Sequence, residues 1–240
     1  MQRVAYASLP TCDAALTNVD VRITDGFSTA HCDGSSYAWF HGDVPVTPPG
    51  VYSGWTTIGS PSSGSGDSKG FIFLRAVAAN GHQLRSIVKS ISGSDWTITG
   101  SWLNQMSGQF NAICGLVFTV GTATSDRKLI YGENTSDGST NGNTYINTWD
   151  FSNDTTSTAN NMLSGTAYPT QTHGLTYFRV VKVSTNWTYQ ISRDGGANYV
   201  SLRTLAQPFT ATHAGFSCNS AGDAGNDGDA AITVLHYENQ

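Results

Sequence analysis

The stretch Tyr177-Phe178-Arg179-Val180-Val181-Lys182-Val183, followed by Trp187-Thr188-Tyr189-Gln190-Ile191-Ser192 and then Arg193-Asp194-Gly195-Gly196-Ala197-Asn198, decides the fold. Two short runs rich in β-branched and aromatic residues are closed by a cluster of Asp, Gly and Asn. That is the pattern of strands joined through tight turns. The same pattern extends downstream through Tyr199-Val200-Ser201-Leu202-Arg203-Thr204-Leu205, Ala214-Gly215-Phe216-Ser217-Cys218 and Ala231-Ile232-Thr233-Val234-Leu235-His236-Tyr237. Upstream, residues 71–77, 84–91, 129–132 and 144–149 read as strands, and Trp96-Thr97-Ile98-Thr99-Gly100-Ser101-Trp102 alternates most clearly. Ile113-Cys114-Gly115-Leu116-Val117-Phe118-Thr119-Val120 is almost continuously apolar, as expected of a central strand. No helical period runs beyond two turns, and no internal repeat is present. The expected class is all-β, with two antiparallel sheets packed as a sandwich.

The totals narrow the function. The 240 residues include 12% charged and 11% aromatic residues with 26 glycines, a composition that suits a turn-rich β surface and not a disordered chain. A net charge of −5, with no run of Lys and Arg, argues against nucleic acid as a partner. No window is long and apolar enough to span a bilayer. Residues 1–10 lack the apolar core of a secretory signal. The expectation is a protein made in a cytoplasm that leaves it, if at all, without a signal, for example inside a virus particle released by lysis.

Three segments are expected. Residues 1–43 form a small β unit, 44–69 a connector rich in Pro, Gly and Ser, and 70–240 the sandwich. Within the connector, Tyr52, Trp55 and Ile58 are candidates for a short strand or for docking onto the main body. No CxxC spacing is present, which argues against a zinc site. Cys114 and Cys218 sit in apolar strands and are expected to be buried free thiols, while Cys12 and Cys32 are the first pair to test for a disulfide.

Two resemblances follow. The Gly-Leu-Val-Phe run at 115–118, the strands at 177–183 and 187–192, the Asp194-Gly195-Gly196 turn and the closing Gly215-Phe216-Ser217-Cys218 resemble the concanavalin A-like lectin/glucanase sandwich, a jelly roll. Leu9-Pro10, Val21-Arg22-Ile23-Thr24-Asp25-Gly26 and Cys32-Asp33-Gly34-Ser35-Ser36-Tyr37-Ala38-Trp39 resemble a short β-meander of phage tail and virion proteins. The first implies a fold shared by enzymes, lectins and structural modules, so function has to come from the site.

Glycan-hydrolysing sandwiches need acidic residues alternating along one strand, so that two carboxylates share a face. The only glutamates here are Glu133 and Glu238, and Asp150 stands alone after Trp149, so an enzyme is not expected. Sugar rings stack on aromatic faces, and Trp149, Tyr145, Trp102, Trp187 and Tyr199 are the candidates. Each has a competing assignment to the core, and Trp96, on the same face as Trp102, is expected to be buried. Asp223, Asn226, Asp227 and Asp229 place oxygen ligands in one Gly-rich loop suited to Ca²⁺, though the same composition also makes a polar hairpin loop. A similar loop spans 137–143.

The combined expectation is a bacteriophage virion appendage, tail or head fibre-like. It meets other virion proteins through residues 1–43, forms a homo-oligomer (a trimer by analogy with fibres) and binds cell-surface glycan. The alternatives are a glycan-active enzyme on the same fold, hydrolase or lyase, and a purely structural capsid or tail decoration protein.

Overall fold

A computed structural model describes residues 2–4, 12, 19–23, 28–32, 37–41, 44–46, 54–59, 72–76, 79–104, 112–135, 144–162, 175–207, 209–222 and 230–240. Strands β1 (Gln2–Val4), β2 (Val19–Ile23), β3 (Ser28–Cys32), β4 (Tyr37–His41) and β5 (Val44–Val46) make a five-stranded sheet in sequence order. All its pairs are antiparallel except β1 with β2. A disulfide joins Cys12 to Cys32. A sheet this small has little core, and such units commonly rely on a crosslink.

The remaining strands are β6 (Thr56–Ile58), β7 (Ile72–Ala76), β8 (Ala79–Asn80), β9 (Leu84–Ser90), β10 (Trp96–Asn104), β11 (Ile113–Thr119), β12 (Lys128–Thr135), β13 (Thr144–Asn153), β14 (Thr156–Met162), β15 (Tyr177–Val183), β16 (Asn186–Ser192), β17 (Val200–Ala206), β18 (His213–Asn219), β19 (Ala221–Gly222) and β20 (Ala230–Asn239). A six-stranded sheet runs β17-β16-β15-β10-β20-β7 and a seven-stranded sheet runs β14-β13-β12-β11-β18-β9-β6, every neighbouring pair antiparallel. Among the described residues there is no α-helix, and no helix is long and apolar enough to cross a membrane. The fold is an antiparallel β-sandwich.

Period-two alternation explains how the sheets meet. In β10, Trp96, Ile98 and Trp102 join the inter-sheet core, as do Phe178 and Val180 of β15 and Trp187, Tyr189 and Ile191 of β16. From the facing sheet come Leu116 and Phe118 of β11, Tyr131 of β12 and Phe216 of β18. Trp96 stacks on Phe118 at 5.2 Å between centroids, and Trp102 on Phe178 at 4.3 Å. The apolar run at 113–120 is the buried strand β11, held between β12 and β18. Trp55 also enters this core, and β6 pairs with β9. At the other end of the segment read as connector, β5 pairs with β4 in the N-terminal sheet.

Cys114 and Cys218 are not free thiols. Their register sets them directly opposite on β11 and β18, with Cα atoms 4.2 Å apart, and they form a buried disulfide. Their 104-residue separation hides this neighbourhood from a local reading. The Gly-Leu-Val-Phe run needs its glycine for a similar reason. Gly115 faces Gly132, and a Cβ on either would lie 2.3 or 2.1 Å from a carbonyl oxygen of the other strand.

The seven-stranded sheet curls strongly. The Leu84 amide donates to the Asp154 carbonyl at 2.9 Å, although three strands lie between β9 and β13. The curl encloses a second apolar cluster on the sheet's outer face: Ile58, Leu84, Val88, Ile113, Val117, Ile130, Trp149 and Phe151. At this margin the fully buried Lys128 lies 2.7 Å from Asp154 and donates to the carbonyls of Ala123 and Asp126, both at 2.9 Å. An ammonium has three protons to place, and these three acceptors take them.

Candidate functional site

The outer face of the six-stranded sheet carries most of its polar chemistry. The residues alternating with the core of β10, β15 and β16 are Thr99, Arg179 and Gln190, and register lines them up. Ser201, Gln190, Arg179, Thr99 and Glu238 form one row across five strands. Ser192, Tyr177, Ser101 and His236 form the next.

Local sequence then places an aromatic ring over the first row. Ser192, Asp194, Gly196 and Asn198 build a closed turn. Asp194 Oδ1 accepts from Ser192 Oγ at 2.6 Å and from the Asn198 amide at 2.9 Å, and its Oδ2 accepts from Asn198 Nδ2 at 2.8 Å. These bonds, Ser192 first, hold the exposed Asp194 carboxyl down at about 2. Gly195 and Gly196 take φ of 75° and 87°, which a side chain would resist. The turn delivers Tyr199, whose hydroxyl would sit 3.2 Å from a Cβ at Gly196.

Tyr199 lies back across the sheet. Its phenol bonds to Thr99, and the Arg179 guanidinium stacks on its ring, 3.4 Å from the centroid. Arg179 Nε donates to Gln190 Oε1 at 2.7 Å, and Gln190 Nε2 donates to Ser201 Oγ at 3.0 Å. Burial pushes the Tyr199 phenol up, with the nearby Arg179 charge opposing. Beneath, Tyr177 and His236 are buried with rings 4.8 Å apart, beside Leu175 and Leu235. Burial lowers the His236 pKa, opposed by Glu238 at 3.8 Å. The arrangement offers a cation, an amide, hydroxyls and an aromatic edge on one rigid surface.

A second unusual group lies between the sheets. Glu133 is 7% exposed, and its Oε2 accepts from Trp102 Nε1 and Asn104 Nδ2, both at 3.1 Å. Burial raises its carboxyl to about 7, against the pull of those two donors.

The five sugar-stacking candidates do not converge. Tyr199 sits in the face just described. Trp102 and Trp187 are closed in the inter-sheet core, Trp187 against Trp96, Phe118 and Phe209, so neither has a free face to stack on. Trp149 is buried on the curled face of the seven-stranded sheet, with His82 edge-on at 5.0 Å; Tyr145 lies in the same strand, half-buried. Asp223, Asn226, Asp227 and Asp229, like the loop at 137–143, lie outside the described residues. Among the described residues no three His, Cys, Asp or Glu side chains gather to hold a metal. Arg179, Gln190, Tyr177 and His236 join this face without any local motif to mark them. Their signal was the polar member of each strand's alternation: Tyr177 and Arg179 against Phe178 and Val180, Gln190 against Tyr189 and Ile191.

No family model and no curated protein matches the chain. Among solved structures, it is similar to a functionally unknown protein from Saccharomyces cerevisiae, with a TM-score of 0.55 at 14% identity, over 79% of this chain and 97% of that one. Weaker likenesses include the Ca²⁺/Man2-bound exoplasmic/lumenal domain of VIP36, with a TM-score of 0.46 at 14% identity over 80% and 86%. Another is the CBM2 module of the evolved Dit of Lactobacillus casei BL23 phage J-1, at 0.44 and 8% identity over 70% and 76%. At these identities the likeness is one of fold alone.

Proposed function

We propose that the chain is a carbohydrate-binding sandwich that takes glycan on the outer face of its six-stranded sheet. The observation that carries this is the Tyr199–Arg179–Gln190 array, fixed in place by the Asp194 turn. An aromatic side chain beside fixed polar groups is how proteins grip sugar rings. The two glutamates support binding over hydrolysis: Glu133 faces the inter-sheet core and Glu238 the outer face of the other sheet, so they make no catalytic pair.

In the same proposal the protein is a phage virion appendage. The sheet β1–β5 docks to other virion proteins, and a homo-oligomer, a trimer by analogy with fibres, multiplies weak sugar contacts into firm attachment. The test is a glycan array probed with the native assembly beside a Tyr199→Ala variant. Binding that the variant loses supports the reading. No binding by the native assembly removes it and leaves a structural role. Reducing sugar released from a host polysaccharide, or unsaturated sugar ends appearing on it, would replace binding with catalysis.

A further inference from the structure

We infer that Arg179 is a receptor for a carboxylate, so that the glycan taken by this face is an acidic one carrying uronate or a comparable carboxylated sugar. This rests on the glycan-binding reading above and sharpens it.

Arg179 Nε is spent on Gln190, and one face of the guanidinium is covered by the Tyr199 ring. The two terminal nitrogens have no hydrogen-bond or ion-pair partner among the described residues. Arg127 is the contrast, since both carboxylate oxygens of Asp150 occupy its fork. In a chain with 17 acidic against 12 basic residues, partners for an arginine are plentiful, yet among the described residues none fills this fork.

The nearest candidates are occupied or distant. Asp194 is turned into its own loop by three hydrogen bonds from Ser192 and Asn198. Glu238 stands two strands away in the same row, beside His236. A stacked, amide-anchored guanidinium has little rotational freedom left to lose, and its planar fork matches a carboxylate with two parallel hydrogen bonds. Tyr199 then lies where the sugar ring attached to that carboxylate would rest.

The test prints uronate- and sialate-bearing glycans beside their carboxyl-reduced counterparts, with sulfated neutral glycans as a charge control. The native protein is expected to bind at least one acidic glycan roughly tenfold or more above its reduced partner. Arg179→Gln should lose about ten- to a hundredfold on the acidic glycan and bind both members of the pair alike, while Arg179→Lys recovers part. Unchanged melting of both variants shows that the fold is intact. Equal binding to acid and reduced forms overturns the carboxylate receptor but leaves glycan binding standing. So does an Arg179→Gln variant that still prefers the acid, or a preference for sulfated glycans. Binding to no glycan at all overturns the underlying reading.

Discussion

Glu133→Gln should make the protein more stable above neutral pH. The carboxyl lies between the sheets and is raised from 4.5 to about 7 by burial. A folded-state pKa above the unfolded value means that the folded state favours the proton. The stability this contributes is complete below pH 4.5 and is lost as pH rises toward 7. At about 1.36 kcal/mol per tenfold change in proton affinity, the loss comes to about 3 kcal/mol. Gln is neutral at every pH, and its carbonyl can accept from Trp102 and Asn104 as Glu133 does now. Wild type and variant should therefore match near pH 4.5, with the variant ahead by about 3 kcal/mol at pH 8, or roughly 6–12 °C in Tm. Guanidinium unfolding at half-unit steps from pH 4.5 to 8 measures this. His236, lowered by burial, and Asp154, raised by burial, also shape each curve, but both proteins share them and the difference isolates Glu133. A difference that stays flat across the range, or a variant less stable at pH 8, would refute an ionisable carboxyl sealed in the core.

Three further outcomes are expected. Lys128→Met should cost about 3–5 kcal/mol in chemical unfolding, because Asp154 keeps a buried charge; adding Asp154→Leu should return most of the loss. Replacing Cys114 and Cys218 together with Ala should lower stability by about 4–5 kcal/mol on the chain-entropy estimate for a loop of 104 residues, and reductant should reach this buried bridge only in unfolding conditions. Gly132→Ala should cost at least about 2 kcal/mol, read from the denaturation midpoint, because its Cβ would meet the Cys114 carbonyl oxygen at 2.1 Å.

The strands that sequence revealed are those whose side chains carry a clear period. β11 is almost wholly apolar and buried along its length, and β10, β15 and β16 alternate, so composition and spacing mark them. β14, Thr-Ser-Thr-Ala-Asn-Asn-Met, has almost no apolar member and pairs only as the outermost strand beside β13, which leaves no periodic signal to read. Alternation tells which residues share a face but not which face turns inward. Trp102 and Tyr199 were equal candidates by type, and only the stacking of the sheets sends one into the core and leaves the other on the surface.

The site was less legible still, because it is a product of register. Arg179 meets Thr99 across 80 residues of chain, and Thr99 meets Glu238 across 139. No local pattern carries those distances. What local sequence does supply is the Asp194 turn, since Asp, two glycines and Asn at that spacing satisfy their own hydrogen bonds wherever the strands lie. That turn fixes where Tyr199 begins, and the sheet beneath determines what Tyr199 covers. The face proposed for glycan is therefore encoded in two parts: a self-sufficient turn that aims one ring, and a polar row that becomes a row only when distant strands pair. Loosening the turn with Asp194→Ala should weaken glycan binding while every residue of the row stays in place, and that separation of aim from platform is what the array experiment would detect.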